Sequence, residues 1–397
     1  MNKKKRANRS RVLFRYEMKH MLIFFVLGMI ASLVVVGEVF GSLHYLLSPV
    51  RGVGVNSYSA AGNLVSGSIF GYILIEVLRN TVCLCVVAFA VMAMVQFADL
   101  QKRNQREYLN SLPFTQKEKF FAKVLVSYSM ITVWCLVIGV GVLVQKFYFE
   151  PIIIKNNVLS PFFHQFAGAD TLFHTIRSLL LFWLTLLAMY SVYMLVAYLI
   201  RNSIFSAIVG AGALFWPLGL VTVGWYISVS MSPFLQSGKA DVILNCLKRY
   251  FGMFEGRTLG YRYGYFSVMG YFSNSDYSPK GAEYLPNRTA VLSYGNIWIS
   301  FGLAAAILVG CTWLAWWINQ KQDLARINSR IPTAIGRVGI NIGISTSLGA
   351  FATYFLNDYL ISNATSHVSW TRCLVLWLLI SGSFYLLFHL TKIWKRV

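Results

Sequence analysis

Long apolar runs alternate with short polar breaks along the whole chain. Eight runs approach or exceed the ~20 residues that a helix needs to cross ~30 Å of hydrocarbon. They cover about 21–47, 71–97, 123–148, 173–200, 203–230, 296–318, 339–361 and 373–391. None sustains the period-two alternation of a barrel strand. The pattern predicts an all-α integral membrane protein of about eight transmembrane helices. Composition agrees, since the chain is 57% hydrophobic and 12% charged, whereas soluble domains carry roughly 25% charged residues.

A net charge of +21 would suggest nucleic acid in a soluble protein, but the positions of the charges point elsewhere. With the N-terminus in the cytoplasm, the inner pieces hold Lys3, Lys4, Lys5, Arg6, Arg9, Arg11, Arg15 and Lys19, then Lys102, Arg103, Arg106, Lys117, Lys119 and Lys123. Arg201 comes next, then Lys321, Arg326, Arg330, Arg337, Lys392, Lys395 and Arg396. The short outer loops keep Arg51, Lys146, Lys155 and Arg372. This is the positive-inside bias, and it places both termini in the cytoplasm. The partners it implies are anionic lipids, with no nucleic acid.

The basic start and apolar stretch of residues 1–48 resemble a signal peptide, but the apolar part is too long and is read as a retained first span. Just before it, "RSRVLFRYEMKH" (9–20) sets Val12, Phe14, Tyr16 and Met18 among basic residues, as in an interfacial helix; a plain charged tail is the alternative. Arg201 and Asn202 form a tight inner turn, with Ser203 placed to cap the next helix, and Pro217 is expected to kink that helix. The long stretch 231–295 belongs outside by parity, since long loops obey the charge rule weakly. Within it, 240–254 has helical apolar spacing. Tyr261, Arg262, Tyr263 and Tyr265 read either as an aromatic interface belt or as substrate contacts.

The polar segment after the second span is unusual. Asp99, Glu107 and Glu118 are three of only 14 acidic residues in the chain, set among six basic ones. "FADLQKRNQREYLNSLPFTQKEKFF" (97–121) reads as a helix that leaves the membrane, breaks before Pro113 and restarts. Thr115 and Glu118 have capping-box spacing. Tyr108, Leu109 and Leu112 leave an apolar face on an otherwise exposed helix, and that face needs a partner.

The segment "LNSLPFTQKEKFFAKVL" resembles the first cytoplasmic loop of type 2 ABC-transporter permeases, the membrane subunits of bacterial exporters. The matching residues are Leu109, Ser111, Leu112, Pro113, Thr115, Lys117 and Glu118. The resemblance spans about 1–320 and includes the helix before span one, the turn at Arg201 and Asn202, and the outer segment before span six. It implies a coupling helix (99–112) that docks on a separate P-loop ATPase, with Arg103, Arg106, Glu107, Tyr108, Leu109, Leu112, Pro113, Glu118, Arg201 and Asn202 at the contact. It also implies a second permease copy or paralogue, a bacterial cell membrane, and ATP with Mg on the partner subunit and no cofactor in this chain. Consistent with that, no G-x-x-x-x-G-K-[Ser/Thr] loop occurs here.

Charges within spans mark function or structural pairing. Glu38 and Arg79 fall at matching depths, and Glu76 lies one turn from Arg79. A Glu38–Glu76–Arg79 cluster is expected, either as an ion pair between spans one and two or as part of an outer gate. Arg177, His174 and His389 read as interfacial. Cys83, Cys85, Cys135, Cys311 and Cys373 fall in spans, Cys246 is alone in a loop, and no CxxC pair occurs, so neither a disulfide framework nor a metal site is expected. The histidines are scattered and no span has two carboxylates, so no catalytic set is expected.

The expected organisation is therefore a basic tail and interfacial helix (1–20), a six-span permease core (21–320), and a loop with two further spans and a basic end (321–397). The expected activity is ATP-driven export, with an amphipathic peptide or antibiotic as the preferred substrate. The alternatives are a membrane sensor or assembly protein whose outer loop binds a ligand without transport, and an ion-coupled carrier.

Overall fold

A computed structural model describes residues 3–47, 69–98, 114–157, 172–200, 202–229, 279–321, 338–339, 341–349, 352–353 and 370–390. Among these, every regular element is helical: α1 Lys3–His20, α2 Leu22–Leu47, α3 Ile69–Gln96, α4 Gln116–Asn157, α5 Leu172–Leu199, α6 Ser203–Val229, α7 Pro279–Lys321 and α8 Trp370–Leu390. Helices are what such sequences must form in lipid, because a helix satisfies its own backbone polar groups. Five stretches are long and apolar enough to cross a membrane: Leu22–His44, Val77–Gln96, Gln116–Ile152, Thr175–Leu199 and Trp298–Gln320. This is the architecture of a multi-pass helical membrane protein.

Of the remaining expected spans, the fifth coincides with α6, 27 residues long, and the eighth with α8, 21 residues long, with apolar stretches at Ser203–Trp216 and Val375–Leu387 among their described side chains. The seventh, expected at 339–361, is helical at 338–339, 341–349 and 352–353. Two helices outrun their expected spans. α4 has 42 residues and continues through Pro151, and α7 has 43. At ~1.5 Å per residue each is about 60 Å long, twice the hydrocarbon thickness. Part of the expected 231–295 loop, from Pro279 onward, is therefore helix. α6 likewise runs through Pro217.

The chain divides into two compact units. The first comprises 1–86, 118–188 and 255–308. Within it α2 and α4 run side by side in the same direction: the Trp134 indole donates to the Phe25 carbonyl (3.1 Å) and the Gln145 amide to the Val36 carbonyl (2.8 Å). Glycines make this approach possible. A Cβ on Gly28 would overlap the Trp134 ring, and one on Gly141 would lie 2.6 Å from Val36 Cγ2. Small residues at such seams are how membrane helices pack without a hydrophobic drive between them. Phe40 closes the far end against Phe149, with ring centroids 5.4 Å apart.

The second unit comprises 87–117, 189–254 and 309–397. Here α3 and α5 are also parallel, with Phe89 edge-on to Tyr190 (5.6 Å) and Phe97 to Tyr198 (5.3 Å). The Tyr190 hydroxyl bonds Gln96 Oε1. α5 and α6 form a tight hairpin in which Val196 and Ile200 pack with Phe205, Val209 and Ile344, and Gly210 lies against the Tyr193 ring. The turn caps α6 at Asn202, whose Oδ1 accepts from the Phe205 amide (2.9 Å). This corrects the expected cap at Ser203, which is instead the first residue of the helix. Asn202→Ala should cost about 1 kcal/mol of stability, read as a lowered melting temperature in detergent, while Asn202→Asp should be close to neutral.

The last described segments in this unit meet at two points. The Trp377 indole donates to the Thr346 carbonyl (3.3 Å), and Gly349 leaves room for Ser381. These contacts advance together along both segments, 346 with 377 and 349 with 381. An antiparallel hairpin of consecutive spans would pair rising numbers with falling ones.

Candidate functional site

The proposed coupling residues Arg103, Arg106, Glu107, Tyr108, Leu109, Leu112 and Pro113 lie outside the described residues, as do Arg201 and Tyr261, Arg262, Tyr263 and Tyr265. The helix on the C-terminal side of this segment is described. α4 starts at Gln116, immediately after Thr115, with Glu118 in its first turn, the start that the capping-box spacing predicts. In the second unit the Asn319 amide, at the C-terminal end of α7, donates to the Gln116 carbonyl (3.3 Å).

The base of α4 carries a feature that the sequence pattern did not suggest. Lys123 is 4% exposed and Glu17 3%, and the ammonium lies 3.4 Å from Oε1 and 3.5 Å from Oε2 of that carboxylate. Leu13, Glu17 and Met21 are all buried, one turn apart on α1. Val12 and Tyr16 are exposed instead, beside Arg11, Arg15 and Lys19. The helical bonding continues from α1 into α2, because the Met21 amide donates to the Glu17 carbonyl (3.0 Å) and the Phe25 amide to the Met21 carbonyl (3.1 Å). α1, α2 and α4 are thus joined at one end by a buried ion pair and along their length by the glycine seam. The signal was present in the sequence: Glu17 is the first acidic residue of a strongly basic stretch, spaced i±4 from Leu13 and Met21.

The expected intramembrane charge cluster is not assembled between its two described side chains. Glu38 is exposed on α2 and Arg79 half-buried on α3, and no ion pair joins them. The matched depths inferred from counting residues ignored the rotation of each helix, which sets the face a side chain occupies. The Glu76 side chain lies outside the described residues. Other charges are enclosed. Lys146, counted in an outer loop by its position, is within α4, 3% exposed, with its ammonium 5.4 Å from the centroid of the Phe70 ring. Arg177, read as interfacial, is 7% exposed and lies over Phe173 at 5.6 Å. Both gain from the negative ring face.

Of the five described spans α5 is the most enclosed, 67% buried against 17% for α2. In the first unit it also concentrates buried polar side chains, namely Thr175, Arg177, Ser178 and Thr185. The Ser178 and Thr185 hydroxyls find no hydrogen-bond partner among the described residues. An unpaired buried hydroxyl costs about 1–3 kcal/mol. The adjoining Trp183 indole, by contrast, donates to Thr132 Oγ1 on α4 (3.1 Å). No family model, curated protein or solved structure matches this chain.

Proposed function

We propose that this chain is the membrane-spanning permease subunit of an ATP-driven exporter, working with a separate P-loop ATPase. The observation that carries the reading is the segment Leu109 to Glu118, where an apolar anchor and Pro113 stand in sequence directly before the start of α4 at Gln116. Its mechanical setting supports this reading. A displacement delivered to the 99–112 helix meets the base of α4, and α4 is fastened to α1 through Glu17–Lys123 and to α2 through Trp134 and Gln145. The three helices would then move as one body, the rigid half of a two-state packing change.

In this reading Tyr108, Leu109 and Leu112 enter a groove on the ATPase, while Arg103, Arg106 and Glu107 set the electrostatic register. ATP and Mg stay on the partner. In this reading the six-span core of residues 21–320 sits in the membrane of a bacterial cell, with a second copy or paralogue beside it. The test is co-expression with a P-loop ATPase from an adjacent reading frame, then co-elution and ATP hydrolysis; an adjacent frame without one would count against the reading. Leu109→Glu with Leu112→Glu should abolish co-elution, a loss of at least about 100-fold in affinity from two anchors, with the chain still membrane-inserted. A double variant that binds like wild type, or a wild type that binds no ATPase, would overturn the exporter reading in favour of a ligand sensor.

A further inference from the structure

Two buried hydroxyls of α5, Ser178 and Thr185, lack a bond that most described helix hydroxyls make, as do Ser345 and Ser381 in the second unit. Ser32, Thr81, Ser127 and Thr132 each donate to the carbonyl four residues back in their own helix, at 2.7–2.9 Å. Thr353 and Ser383 do the same. That bond is open to any serine or threonine in a helix, yet Ser178 and Thr185 do not make it, although both are 0% exposed. Seven residues apart, they point about 20° from each other on one face of α5. Phe182, 1% exposed, lies between them. Thr185 is 13 residues from Leu172, about 20 Å along the helix, which is membrane depth.

We propose that the Ser178–Thr185 face of α5 is a hydrated wall of the substrate path, closed in this packing and open to water in the other packing of the transport cycle. The proposal rests on the transport reading above and adds the location and polarity of the path. A helix face covered by protein in every state is well filled by Leu or Ala. Hydroxyls turned away from their own backbone are suited to water, which typically makes about three hydrogen bonds when enclosed. They are equally suited to the polar side of an amphipathic solute.

The test uses the full chain in proteoliposomes, with Cys83, Cys85, Cys135, Cys246, Cys311 and Cys373 replaced by alanine. Single cysteines are placed at Ser178, Thr185, Leu187 and Leu180, of which Leu187 is buried on the side of the helix opposite Ser178 and Leu180 is 48% exposed, and labelled with a quaternary-ammonium methanethiosulfonate. An open state populated at only ~1% suffices for labelling over minutes, and the reagent attacks thiolates, which form only where water reaches. Ser178→Cys and Thr185→Cys should react about tenfold faster or more than Leu180→Cys and Leu187→Cys. Equal rates at all four positions would overturn the proposal, even in a chain that binds its ATPase. If the cysteine-free chain fails to insert, hydroxyl-radical footprinting of the wild type decides. Phe182 should be oxidised well above Phe89, which is similarly buried; equal oxidation would overturn the proposal.

Discussion

Lys123→Met will lower the stability of the chain by about 3–5 kcal/mol, because it strands the Glu17 carboxylate inside the protein. Glu17→Gln should cost a similar amount by leaving the Lys123 ammonium enclosed. The paired replacement Glu17→Met with Lys123→Met removes both charges and should recover most of the loss, since buried ion pairs roughly break even against apolar groups of the same volume. The measurement is unfolding in mixed detergent, monitored by tryptophan fluorescence. A Lys123→Met variant as stable as wild type would show that the pair is open to water. If stability returns in the double variant but coupling to the ATPase does not, the charge itself serves to carry motion from α4 to α1.

Gly28→Val should be comparably damaging, at about 3 kcal/mol or more. Overpacking a well-filled interface typically costs about 1–3 kcal/mol. Here the added atoms also push the Trp134 indole off the Phe25 carbonyl, losing roughly another 1 kcal/mol. Trp134→Ala makes room for the new side chain, so Gly28→Val in that background should cost far less than in wild type. The cycle of four melting curves gives the coupling energy directly. Additive costs would mean that the two residues do not touch.

Much of the fold was legible because transmembrane helices announce themselves by length and hydropathy. The ends of α2, α3, α5 and α6 fall within about two residues of the apolar runs that predicted them, the ordinary uncertainty of a helix boundary. The overrun of α4 past 148 and that of α7 before 296 were not legible, since a helix that continues beyond the bilayer has no hydropathy mark. Rotation about the helix axis was the harder quantity. Counting residues gave Glu38 and Arg79 the same depth but no face, and it did not single out Leu13 and Glu17 as the residues that α1 buries. Asn202 was passed over for Ser203 as the cap of α6 for a similar reason. Both residue types cap helices well, and only the backbone decides which one stands outside the first turn. The predicted start of α4 fared better, because Thr115, Glu118 and the preceding proline all specify the same boundary.

The parallel pairing of α2 with α4 also governs how the chain can be made. The residues bonded across it are 109 apart in sequence, so α2 leaves the ribosome long before its neighbour exists. At ~5–20 residues per second the wait is about 5–20 s. During that interval the groove at Gly28 is open to lipid or to any other passing helix, and Glu17 has yet to meet Lys123. Biogenesis therefore has a vulnerable window that closes only when α4 inserts. Slowing translation across 115–150 should increase degradation of the nascent chain without altering the stability of the finished protein.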